Sequence, residues 1–83
     1  MAMDQGWFDK PVAVSVGVFG TVHYVSNARE AADLLLNHWP SPGSRTHRVA
    51  RQSCLEVLRG MKEARVARED FMQAARDADI LME

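Results

Sequence analysis

Cys54 and His47 are the residues whose types could together supply nucleophilic catalysis. A thiolate nucleophile needs a base within hydrogen-bond reach. These two residues are seven positions apart, which is a rise of about 10 Å if both lie on one helix. Cys54 also falls in an apolar stripe, where a buried thiol behaves as a small apolar side chain. We therefore predict a structural cysteine and no catalytic residue.

The histidines are the next candidates, because imidazole and thiolate groups bind transition metals. His23, His38, His47 and Cys54 show none of the short spacings of zinc sites. His38 and His47 flank one Pro-rich loop, so a site made of these two histidines and Asp33 is conceivable. Because the full ligand set is missing, we predict no metal and no cofactor.

The Arg-rich segment 44–48 offers a local site for an anion. It has the pattern of a helix start, where free backbone N–H groups favour negative charge. Arg45, His47, Arg48 and Arg51 are the residues that could contact an anion or a nucleic acid there. The competing interpretation is a capped helix with solvated, salt-bridged arginines. We favour that interpretation over nucleic acid, since charge runs usually have this explanation.

Three aromatic residues could serve either as core anchors or as contacts for a partner: Trp7, Phe8 and Trp39. Aromatic side chains are enriched at interface hot spots, but they also stabilise the core of a small domain. We expect Trp39 to fill the core. Trp7 and Phe8 precede the first predicted strand and could cover the open end of that core.

A β-hairpin is predicted over about residues 12–25, and it must position whatever lies near it. Gly20 supplies the backbone freedom that a tight turn needs before the second run of β-formers, residues 21–25. An isolated ribbon is marginal in water, so its apolar face must lie on helices or its edge must pair with another chain. Valines recur at every second position of the first strand, the period of one buried face: Val12, Val14, Val16 and Val18.

Three helices are predicted at about residues 27–38, 45–59 and 62–79. Asn27 is a good N-cap residue for the first, and Pro40 cannot continue it. The third carries an alanine stripe that would let another backbone approach closely: Ala64, Ala67, Ala74, Ala75 and Ala78. The predicted fold is therefore α+β, an N-terminal hairpin packed on three helices.

Length and composition favour one small domain over residues 1–83, with flexible ends at about 1–6 and 80–83. A chain of 83 residues with 47% hydrophobic residues can build one core. The net charge of −1 gives no global attraction to nucleic acid or anionic lipid. A single cysteine and the lack of a secretory pattern favour the cytoplasm. No apolar stretch approaches the roughly 20 residues of a membrane span.

The order of the segments is more distinctive than any one of them. Phe8-Asp-Lys-Pro-Val12 precedes the hairpin, Val25-Ser-x-x-x-Glu-Ala-Ala32 opens the first helix, and Leu35-x-x-x-Trp-Pro40 ends it. Ala67-Arg-x-x-Phe71 lies in the third helix. This order resembles the bacterial family catalogued as domain of unknown function 982, small proteins of rhizobia and related alphaproteobacteria. The resemblance implies a small stand-alone cytoplasmic protein with no assigned activity, cofactor or catalytic residue.

These observations lead to a non-enzymatic interaction or regulatory accessory domain as the main hypothesis. Its partner would be a second copy or another protein, bound through the hairpin edge or the alanine stripe of the third helix. The alternative is an anion or nucleic-acid binder that uses the Arg-rich second helix. An enzyme is the third hypothesis, and it would need a pocket in which His38, His47 or Asp33 converge.

Overall fold

Two antiparallel strands followed by three helices make up the fold, and the computed structural model describes residues 6–40 and 42–82. The predicted α+β arrangement is confirmed, with small shifts at the element ends. The elements are β1 (Trp7–Val16), β2 (Thr21–Asn27), α1 (Ala28–Asn37), α2 (Arg45–Leu58) and α3 (Ala64–Asp77).

Strand β1 begins five residues before the predicted hairpin. Trp7 pairs with Asn27, and an irregularity in the register separates this pair from the pairing of Val12 with Val25. Pro11 lies within the irregular stretch, as expected for a residue that cannot donate a ladder hydrogen bond. The valine alternation that predicts the strand begins at Val12, so it gives no signal for the strand residues before it.

Residues 80–82 lie along β1, where Leu81 forms an isolated β-bridge with Val14. Ser15 donates its N–H to the Ile80 carbonyl at 2.8 Å, and Met82 donates to the Ala13 carbonyl at 2.9 Å. The backbone of residues 80–82, where a flexible end is predicted, is thus hydrogen-bonded to β1. Residues 1–5 and 83, the rest of the predicted flexible ends, lie outside the described residues.

Gly6 marks where the described chain enters the core. Its carbonyl accepts the N–H of Ala28 at 2.8 Å, and its φ is 73°. A Cβ at this position would lie 2.6 Å from Cγ1 of Val57 and 2.8 Å from Cβ of Ala28. Only glycine fits both the space and the left-handed backbone.

The core lies between the valine face of the hairpin and the three helices. Trp39 is buried, and its ring centroid lies 5.5 Å from that of Phe71. The central alanines of α3 are buried within this core: Ala67, Ala74 and Ala75. The alanine stripe is therefore used inside the fold, which makes its predicted role as an association surface wrong.

Candidate interaction site

His47 does not contribute to an anion site. Its side chain is 2% exposed, and both ring nitrogens are engaged within the fold. Nδ1 accepts the N–H of Gly43 at 3.1 Å, and Nε2 lies 2.7 Å from the Leu35 carbonyl. Since Nδ1 accepts, Nε2 carries the proton and donates to the carbonyl. The prediction of His47 as an anion contact is wrong, because the ring faces the core.

The three arginines of the predicted anion site are not drawn together. Arg48 donates from Nη1 to the Gly43 carbonyl at 2.7 Å, so it folds back on its own loop. Arg45 is exposed and Arg51 is half-buried. Anion binding by Arg45, Arg48 and Arg51 stays a prediction, without the histidine that was expected beside them.

His38 and His47 do not converge on a metal. His38 and Asp33 line a surface groove, whereas His47 lies in the core beside Trp39, with ring centroids 6.2 Å apart. Within the described residues, no group of three or more histidine, cysteine or acidic side chains is placed to hold a metal ion. The structure therefore does not bring His38, His47 and Asp33 together.

Cys54 is fully buried, as the apolar stripe predicted. Burial, with a contribution from the negative charge of Asp70, raises the pKa of this thiol from 9.0 to about 12. Beside it, Ser53 donates to Asp70 at 2.5 Å and accepts from Nζ of Lys62 at 3.2 Å. Lys62 also pairs with Glu56 at 2.9 Å. This cluster ties α2 to α3.

The three aromatic residues separate into two groups. Trp39 and Phe8 are buried, which agrees with core roles, whereas Trp7 is 61% exposed. Trp39 packs between Phe71 and His47. Only Trp7 is free to contact a partner.

Strand β2 has an open edge. Ala13 and Ser15 direct their backbone groups to residues 80–82, and neighbouring residues of a strand point the opposite way. The valines between and beside them therefore bond to β2, which places Val22 and Tyr24 with their N–H and C=O groups pointing away from β1. Within the part of the chain that the structure describes, these four groups have no partner.

Helix α1 supplies a partner for the next outward backbone N–H of this edge, that of Ser26. Glu30 accepts the N–H of Ser26 at 2.8 Å, while Asn27 caps α1 by accepting the N–H of Glu30 at 2.8 Å. The open stretch therefore ends before Ser26. It begins after Gly20, whose N–H is bonded to the Gly17 carbonyl in the turn.

A groove runs between this edge and α1. It consists of two adjoining concavities of about 580 and 570 Å³, which share His23, Leu34 and His38 in their walls. One end is lined by Arg29 and the other by Phe19 at the tip of the hairpin. The groove thus follows the whole length of the open edge.

Exposed apolar side chains surround the same edge. Val18 and Phe19 form the tip of the hairpin and are 96% and 95% exposed. Tyr24 is 71% exposed and Val22 is 41% exposed, on the sheet face that points away from the helices. Backbone groups, a groove and apolar side chains therefore coincide along β2.

Residues 10–82 match the family described as protein of unknown function, DUF982. The chain belongs to this family. The expected resemblance is confirmed. A family with this description supplies no activity or site residue for transfer to β2 or to any other part of the molecule.

The fold agrees with a solved structure. The NMR structure of the Agrobacterium tumefaciens protein Atu1219 is similar over 100% of this chain and 82% of its own, with a TM-score of 0.79 and 34% sequence identity. A comparison with curated proteins finds no match. No helix among the described residues is long and apolar enough to cross a membrane.

The sequence predicts a hairpin with open edges, but it does not indicate that one edge is covered and the other is open. Both edges looked open, because residues 80–82 carry only three apolar side chains and no periodic signal. The groove was missed as well, since it depends on how α1 packs beside β2. The expectation that Val18 shares the buried face with Val12, Val14 and Val16 is wrong, because β1 ends at Val16 and Val18 lies exposed in the turn.

Proposed function

We propose that this protein is a non-enzymatic interaction domain that binds an extended polypeptide at the open edge of β2. The observation that carries the proposal is the outward N–H and C=O groups of Val22 and Tyr24, beside a groove of matching length. Strand addition uses such groups for affinity and nearby pockets for side-chain selection. The hairpin would gain a strand and the partner would be held by its backbone.

The edge lacks the devices that keep sheet edges from pairing. Natural edge strands are protected by proline, by lysine, by a bulge or by a covering segment. The open stretch Thr21-Val-His-Tyr-Val25 contains neither proline nor lysine, and its register with β1 is regular. The β1 edge, in contrast, is covered by residues 80–82. This difference supports β2 as a surface kept open for binding.

Val22→Pro tests the proposal without disturbing the hairpin ladder, because the N–H of Val22 points away from β1. The probe is an acetylated seven-residue peptide of alternating threonine and valine with a lysine at each end. At low micromolar protein, we expect peptide-dependent shifts of the Val22 and Tyr24 amides in ¹⁵N–¹H spectra. Val22→Pro should weaken peptide binding by about tenfold or more, since one backbone hydrogen bond and its geometry are lost.

Val22→Thr is the matched control. Threonine keeps the backbone N–H and the β-branched shape, so peptide affinity should stay within about twofold of the parent protein. Thermal unfolding of both variants checks that the fold is intact. Peptide binding that ignores Val22→Pro, or no shift at Val22 and Tyr24 up to millimolar peptide, would overturn the proposal.

A further inference from the structure

We propose that the strand taken up at the β2 edge is the β2 strand of a second copy, paired antiparallel about a two-fold axis at His23. This inference rests on the proposed function and names its partner. The occupant follows from the self-complementary spacing of the groups along the edge.

The backbone spacing is the first match. Val22 and Tyr24 are two residues apart, and both direct N–H and C=O groups outward. With His23 opposite His23 of the other copy, Val22 lies opposite Tyr24 in both directions. Residues directly opposite each other in such a pair exchange both hydrogen bonds. The same two residues of each copy therefore supply four interchain hydrogen bonds.

The side chains of the outer face match in the same register. Tyr24 and Val22 project from one face of the sheet, because each lies opposite an outer-face residue of β1, Ala13 and Ser15. The two-fold places each Tyr24 directly across from a Val22. Aromatic and β-branched residues are a favourable cross-strand pair. Both side chains are exposed in the single chain and would cover each other in the pair.

The hairpin tip of one copy also matches one end of the groove of the other copy. In this register residue 19 of one copy lies level with residue 27 of the other, so the hairpin tip reaches the groove end that Arg29 lines. Phe19 is 95% exposed, and the ion pairs of the described residues do not include Arg29. An arginine beside an aromatic ring is a favourable contact. Each exposed tip thus meets the unoccupied end of its neighbour's groove.

Electrostatics permit the approach of two copies. The formal net charge is −1 per chain, which gives little long-range repulsion. At the axis the facing groups are the two His23 side chains, and the groove around each also holds Arg29, Glu30, Asp33 and His38. Charges of both signs therefore surround the contact.

A charge-complementation experiment tests the register. His23→Glu and His23→Lys each place like charges opposite one another, so each variant alone should dimerise at least about tenfold more weakly than the parent. A one-to-one mixture places glutamate opposite lysine and should restore a heterodimer. Sedimentation equilibrium across concentration measures all three samples and the parent. Val49→Glu, an exposed change on α2, is the control and should leave dimerisation unchanged.

The outcomes separate this inference from the proposed function. A parent protein that remains monomeric to millimolar concentration, or variants that weaken the dimer without rescue in the mixture, would overturn the two-fold register. If the threonine–valine peptide still binds at Val22 and Tyr24 in that case, strand addition stands and only the identity of the occupant is wrong. If the peptide also fails, both proposals fall.

Discussion

His47 joins two parts of the chain that lie on either side of the Pro-rich loop. Its ring accepts from Gly43 and donates to the carbonyl of Leu35, twelve residues before it. A buried polar side chain is stable only when its donors and acceptors are paired. This residue therefore fixes the path of the loop between α1 and α2. The Arg-rich sequence around it does not indicate this structural role.

His47→Ala should destabilise the fold strongly. The change leaves the N–H of Gly43 and the carbonyl of Leu35 without their partner and removes a buried ring. We expect the free energy of unfolding to fall by about 2–4 kcal/mol, measured by urea denaturation. Arg45→Ala, on the exposed side of the same helix turn, should change it by less than about 0.5 kcal/mol. Equal effects of the two changes would contradict the assigned role.

Cys54 makes the stability of the protein depend on alkaline pH. Burial raises the pKa of its thiol in the folded protein to about 12, from 9.0. Between these values the folded state keeps a proton that the unfolded chain has lost. The free energy of unfolding must then fall as the pH rises, by up to about 1.4 kcal/mol per pH unit. Below pH 9 both states are protonated, so the effect disappears there.

The Cys54→Ala variant isolates this contribution. Other groups titrate at alkaline pH in both proteins, so the difference between their stability curves reports the thiol alone. We expect the parent protein to lose stability more steeply than the variant between about pH 9 and 11, in urea denaturation series. Parallel curves would show that the thiol titrates normally in the folded protein.

At the level of elements, the two edges of the hairpin differ, because one is paired and the other is open. Residues 80–82 pair with β1, and Val14, opposite Leu81, is fully buried. Strand β2 keeps its edge open between the turn and the Ser26–Glu30 hydrogen bond. A ribbon that is marginal alone thus gains support on one side only.

Removal of residues 80–83 should uncover the β1 edge. The N–H of Ser15 and the carbonyl of Ala13 would lose their partners, and apolar cover over Val14 would be lost. We expect a loss of about 2–4 kcal/mol in the free energy of unfolding, with faster amide exchange at Ser15. Removal of Glu83 alone is the control. Unchanged exchange at Ser15 after the longer deletion would contradict the pairing.

At the scale of the whole molecule, the sequence predicts features that repeat along the chain and misses those that depend on distant partners. The alternating valines predict β1 because burial of one sheet face imposes a period of two. The position of His47 depends on Leu35, and that of Ile80 depends on Ser15, so neither has a local signal. The open edge was predictable from the hairpin, whereas its groove required the placement of α1.

If molecules pair through β2 as proposed, the segment at residues 80–82 limits how many can join. A molecule with two open sheet edges would pair with another copy at each edge and form an open-ended fibre. Because residues 80–82 already pair with β1 at Ala13 and Ser15, the open edge within the described residues is that of β2. In the proposed pair, the β2 edges of both molecules would be used, and residues 80–82 would still cover β1 at Ala13 and Ser15. Under the proposed pairing, residues 80–82 would thereby limit association through sheet edges to two molecules.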